Sequence, residues 1–235
     1  MKLCMFHPVD RPLERGWVGR IDGDHVTQLA AQTLQSYFTG GGAAREHAVY
    51  PLASVRLLAP VLHPPSVRVF EDEHSFAFAN PAAIHGPDAD VGATAPSGSE
   101  LQSRLSLHAR LAGVIGADEE IAGFTLLVEW RRPGVEPPKD RDFAFGLGPV
   151  VVTSDELDPD GLEAVVRVCG AEQVRGRFDG FEWVAARHLA AAGTRLYPGD
   201  LVAGPALTAV GVEPGSAAEI DAPGIGAVTQ FLSRD

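Results

Sequence analysis

Short apolar-rich runs, punctuated by turn residues, follow one another along most of this chain, so short β-strands are the expected elements. Residues 17–21 and 25–29 flank Asp22-Gly23-Asp24, and Asp-Gly between two such runs predicts a hairpin. A short helix is expected over 30–38, stopped by Gly40-Gly41-Gly42. Residues 51–65 carry four prolines and one strand, 55–59, and read as a connector. Further strands are expected over 67–70, 75–78, 105–115, 123–130, 149–153, 164–169 and 201–202. One strong helix is expected over 182–192, with Val184, His188, Leu189 and Ala192 on one face. The pattern predicts an α+β, β-rich fold with few helices. A small N-terminal lobe over 1–60 precedes a main domain over 61–235.

The strand over 105–115 bears most on function. Leu105, Leu107, Ala109 and Leu111 fall on one face, and Ser106, His108 and Arg110 on the other. The strand then turns fully apolar at Ala112-Gly113-Val114-Ile115, so two ionisable side chains share a face that runs into buried sequence. A solvent-facing strand of an antiparallel sheet would show the same alternation.

Composition narrows the partners. The formal net charge is −12, and an acidic field repels phosphate backbones, so no nucleic-acid partner is expected. Two cysteines far apart, Cys4 and Cys169, suit a reducing compartment. The N-terminus is broken by His7, Pro8 and Asp10, unlike a signal peptide, and no run of 18 apolar residues predicts a membrane span. The expected localisation is cytoplasmic. Basic residues are nearly all arginine, with lysine only at Lys2 and Lys139. There is no GxSxG elbow, P-loop, HExxH or dinucleotide fingerprint.

Six segments, in order, resemble the fumarylacetoacetate hydrolase family. They are Phe76-Ala77-Phe78-Ala79-Asn80-Pro81 with Ile84-His85-Gly86-Pro87; Leu111-Ala112-Gly113-Val114-Ile115-Gly116; Ile121-Ala122-Gly123-Phe124-Thr125-Leu126; Lys139-Asp140-Arg141-Asp142-Phe143 with Leu147-Gly148-Pro149; Pro198-Gly199-Asp200; and Gly224-Ile225-Gly226. The resemblance implies a mixed β-roll, a homodimer, and chemistry on a small β-diketo or 2-oxo acid: carbon–carbon hydrolysis, decarboxylation, tautomerisation or cyclisation. In the family a magnesium or calcium ion chelates the substrate, a histidine aided by a glutamate activates water, and a lysine positions the bound substrate.

This chain departs from that pattern at the cation. Where the family has Glu-x-Glu, His108-Ala109-Arg110 stands; Glu129 takes the place of an aspartate, and Val69 that of another. Hard cations need oxygen ligands, and Arg110 would put a positive charge where the cation should sit, so no metal cofactor is expected. Ala203-Gly204-Pro205 replaces the family's carboxylate-binding Ser-Gly-Thr. By the resemblance, His74, Glu71 and Lys139 are the catalytic candidates, and Arg110, His108 and Glu129 the substrate-binding ones. Arg131 and Arg132 read as surface or dimer-contact residues.

Three readings follow. In the first, a metal-independent enzyme uses Arg110 as a bidentate fork on a substrate oxyanion and His74 as acid and base. In the second, a non-catalytic binding or scaffold protein keeps Arg110 and Glu129 as a buried ion pair. In the third, His108 and Glu129 hold a softer cation.

Overall fold

The alternating segments pair into two sheets in a computed structural model that describes residues 1–92 and 104–233. In chain order the elements are β1 (Lys2–Pro8), β2 (Trp17–Asp22), β3 (His25–Leu29), α1 (Leu34–Thr39), β4 (Glu46–Pro51), β5 (Val55–Leu58), β6 (Val67–Asp72), β7 (Ser75–Ala79), β8 (Ile84–His85) and β9 (Asp90–Gly92). There follow β10 (Leu105–Ile115), β11 (Ile121–Arg131), β12 (Phe145–Thr153), β13 (Leu162–Val168), β14 (Ala171–Phe178), α2 (Trp183–Ala191), β15 (Leu201–Ala203), β16 (Thr208–Val212), β17 (Ala217–Ala222) and β18 (Gly226–Ser233). The β-rich α+β reading of the sequence holds.

The larger sheet has 13 strands along the path β4-β3-β2-β1-β12-β11-β10-β15-β6-β7, with β5, β8 and β16 joining at its sides. The second sheet runs β14-β13-β17-β18-β9. Most pairs are antiparallel, but β6 runs parallel to β15, β8 to β12, and β9 to β18. The N-terminal lobe shares its sheet with the rest of the chain, because β1 pairs both with β2 and with β12.

Strand alternation sorts the core into two layers. Leu105, Leu107, Ala109 and Leu111 of β10 pack with Ala164, Val166, Ile220 and Val228 of the second sheet. The opposite face of the larger sheet packs Ala112, Val114, Leu127, Leu147 and Val151 with Leu34, Tyr37 and Phe38 of α1. His108 and Arg110 belong by parity to this second face.

Two helix expectations need correction. The first helix starts at Leu34, because Thr33 caps it: the Thr33 hydroxyl accepts from the Ser36 amide at 3.1 Å while Ser36 Oγ accepts from the Thr33 amide at 3.0 Å. In α2 the buried positions are Ala186 and Ala190, while Val184 is 64% exposed. The small side chains let the helix lie close on Ile115 and Val202, and the larger Val184 turns outward.

Candidate functional site

Three cross-strand steps build the polar centre. On one face of the β10–β11 pair, Ser106 lies opposite Arg131, His108 opposite Glu129, and Arg110 opposite Leu127. Arg110 therefore reaches Glu129 on the diagonal, a distance that a long side chain spans. From the other side, the parallel pairing of Ala203 with Val69 brings the segments following β15 and within β6 together, so the carbonyls of Gly204 and Phe70 converge on the same point.

The Arg110 guanidinium is fully buried and makes four hydrogen bonds within the protein. Its Nε donates to Glu129 Oε2 at 2.7 Å, Nη1 donates to Phe70 O at 2.9 Å and to Gly204 O at 2.8 Å, and Nη2 donates to Glu71 Oε1 at 2.9 Å. Arg131 adds a second layer: Nε donates to Glu129 Oε1 at 2.8 Å, and Nη2 to Glu71 Oε1 at 2.6 Å and to Glu129 Oε2 at 3.0 Å. Arg141 stands 3.7 Å from Glu129 Oε1 while holding Asp140. Glu129, itself wholly buried, thus neutralises parts of three guanidinium groups. Burial acts to raise the Glu129 carboxyl, but the hydrogen bonds and charges of Arg131 and Arg110 win and hold it below its usual range. Glu71 is held low by the same balance. His108, half-buried with its Nε2 3.2 Å from Ser106 Oγ, is pushed down to about 4 by burial and then by Arg131. It is therefore neutral near pH 7.

The sequence candidates divide accordingly. Glu71, His108, Arg110 and Glu129 come together. His74 does not join them: it sits at the turn between β6 and β7, 80% exposed, with its ring 3.4 Å from Glu73. Asp72 fixes that turn by accepting from the His74 and Ser75 amides at 2.9 and 3.1 Å. Glu71 points its carboxylate at Arg110 and Arg131 rather than towards His74. Lys139 is 72% exposed and paired with Asp142 at 2.6 Å. The expected fork from Arg110 to a ligand is already occupied by Glu129 and backbone carbonyls. Arg131, read from sequence as a surface residue, is instead a member of the cluster and only 18% exposed. Its place two residues from Glu129 on one strand face was the available signal.

The Pro198-Gly199-Asp200 turn is a second buried anchor. Asp200 Oδ1 accepts from Ser66 Oγ at 2.6 Å, Oδ2 accepts from the Tyr197 amide at 2.7 Å, and Arg68 lies 3.6 Å away. It fixes the start of β15, and so the position of the Gly204 carbonyl.

This architecture is the fold of the fumarylacetoacetate hydrolase family. Maleylpyruvate hydrolase from Sphingobium sp. SYK-6 superposes with a TM-score of 0.78 at 22% identity, covering 99% of each chain. The 5-carboxymethyl-2-hydroxymuconate delta-isomerase of Mycobacterium smegmatis gives 0.78 at 24% identity, and the fumarylacetoacetate hydrolase of Exiguobacterium antarcticum 0.79 at 19%, each over 100% of both chains. No family profile matches the sequence, and no curated protein sequence matches it.

The Sphingobium enzyme is also solved with manganese(II) and pyruvate. The donor set here does not fit such an ion. A hard cation needs several free oxygen ligands, yet the oxygens of Glu129 and the Oε1 of Glu71 are hydrogen-bonded to guanidinium groups. Among the described residues no group of three or more His, Cys, Asp or Glu is arranged to hold a metal. A softer ion on His108 and Glu129 meets the same obstacle, because Arg131 is hydrogen-bonded to both oxygens of Glu129 and its charge acts on His108.

Proposed function

We propose that this chain is a metal-independent relative of the oxo-acid enzymes whose fold it shares, acting on a small 2-oxo or β-diketo acid. The supporting observation is the buried guanidinium of Arg110 between Glu71 and Glu129. A fixed positive centre there supplies the electrostatic bias that a cation would otherwise provide, without itself touching the substrate. The groups within a substrate's reach are in the outer layer. Arg131 spends Nε and Nη2 on the carboxylates, leaving Nη1 for a substrate carboxylate. Arg141 lies beside it, equally exposed at 18%. In this reading neutral His108 shares a proton with a developing enolate oxygen, a role in which an imidazole of low pKa serves as a donor. His74 and Lys139 have no part in this reading.

A second reading, a binding protein without turnover, draws support from the exposed position of His74, which leaves the cluster without a group poised to activate water. The two readings separate in one experiment. The chelator-treated protein is offered maleylpyruvate, acylpyruvates and oxaloacetate, with loss of the diketo or oxo-acid absorbance followed beside calorimetric binding. Turnover unchanged by chelator and abolished in Arg131→Leu supports the enzyme. Binding without turnover selects the second reading. Turnover that needs added magnesium or manganese overturns the proposal.

A further inference from the structure

A cavity of about 210 Å³ lies on the face of β10 opposite the Arg110 cluster, lined by Leu111, Phe178, Phe181, Trp183 and Leu207. Leu111 and Arg110 are consecutive on one strand and so point to opposite faces. The cavity is preformed. Phe181 and Trp183 meet edge to face at 4.8 Å and 90°, and Phe124 braces Trp183 at 5.0 Å and 73°. Gly204 lets the backbone lie against them, since a Cβ there would stand 3.1 Å from Phe181 and 3.2 Å from Trp183.

Charge at the mouth is one-sided. The charged residues of the lining are Asp160, Asp179 and Arg177. Arg177 is neutralised by Glu163, through Nε at 3.2 Å and Nη2 at 2.6 Å. Asp160 Oδ1 accepts from the Gly180 amide at 3.0 Å, which fixes the carboxylate at the rim. The Asp179 carboxylate has no protein partner among the described residues. Glu182, at the cap of α2, offsets the partial positive charge of that helix end. An aromatic cavity rimmed by two carboxylates attracts a cation twice over, through ring faces and through charge. The volume is below the roughly 300–1,000 Å³ typical of pockets for drug-sized ligands.

We propose that this cavity binds a small organic cation with an aryl-sized apolar body and an ammonium head. Arg110, Glu129 and Arg131 do not line the cavity, but its wall includes Gly204, whose carbonyl accepts from Arg110, and Pro205. The test is isothermal titration of the intact protein with phenethylamine, phenylacetate and 2-phenylethanol, which share one body and differ in charge. Phenethylamine binds best of the three in the wild type. Asp160→Asn/Asp179→Asn keeps an acceptor for Gly180 and should fold normally by thermal melt, yet bind phenethylamine about threefold to tenfold more weakly. No saturable amine binding below about 10 mM, equal or tighter binding of phenylacetate, or an unchanged amine affinity in the double variant would each overturn it.

Discussion

Replacing Arg110 tests whether the buried cluster is a structural keystone. Arg110→Leu removes the donor from two backbone carbonyls, Phe70 O and Gly204 O, and from Glu129 and Glu71. Deleting one member of a buried ion pair costs about 3–5 kcal/mol, and each carbonyl left dry costs about 1–3 kcal/mol. These penalties overlap, and Glu129 keeps Arg131 at 2.8 Å, so the lower half of the range applies, about 3–4 kcal/mol. For a chain of this size that lowers the melting temperature by roughly 6–16 °C. Glu129→Leu alone leaves Arg110 with Glu71 as its one carboxylate and should cost a similar amount. Arg110→Leu/Glu129→Leu leaves no buried charge at that point, and its loss should fall short of the summed single losses by at least about 1.5 kcal/mol. Arg110→Lys keeps the charge, but an ammonium cannot reach four acceptors set in a plane, so about 2 kcal/mol should still be lost. Urea titrations at pH 7 with a constant m value read all four. Additive single losses, or an Arg110→Leu protein within about 1 kcal/mol of the parent, would refute the reasoning.

Acid should weaken the fold in two stages. His108 binds its proton only near pH 4 when folded but near 6.5 when unfolded, so stability is full above 6.5 and declines as pH falls from there towards 4; partial solvation keeps the loss under about 3 kcal/mol. Glu71 and Glu129, depressed when folded, add their loss only below about pH 4.5. His108→Gln should flatten the decline between pH 7 and 5 in urea midpoints, and an unflattened curve would assign it elsewhere. Arg110→Glu/Arg131→Gln would free the oxygens of Glu71 and Glu129 from guanidinium groups and add a third carboxylate, so manganese(II) should raise the melting temperature of this variant and leave the parent unmoved. Gly123→Ala should lose more than about 2 kcal/mol, because its Cβ would run into the Val152 carbonyl, and a parent-like melt would contradict the β11–β12 register.

The strand β10 was legible to the residue, because its alternation continues until both faces become apolar. β1 was not. Lys2-Leu3-Cys4-Met5-Phe6-His7-Pro8 is buried on both faces, so it shows no alternation to count. β14 escaped for the opposite reason: as an edge strand rich in Arg, Glu and Gln it carries little apolar signal. The Arg110–Glu129 pair followed from the family resemblance, which put Glu129 on the strand after that of Arg110. That Glu71 would turn inward and Arg131 join them depended on the tight turn after β6 and on strand register, neither of which local pattern encodes.

The pairing of β1 also governs the order in which the chain can assemble. The edge of β1 away from β2 is covered in two parts: β5 covers Met5 to Pro8, close by in sequence, whereas Lys2 and Leu3 wait for Val152 and Val151 of β12. Until then Leu3, wholly buried in the finished protein, borders an open stretch of sheet edge. Contacts this distant in sequence slow folding and leave an adhesive edge in the nascent chain. A fragment ending near residue 60 keeps β5 but lacks β12, so Leu3 and Met5 lose Leu147 and Val151 from their packing, and it should be recovered as aggregate rather than as a free-standing lobe.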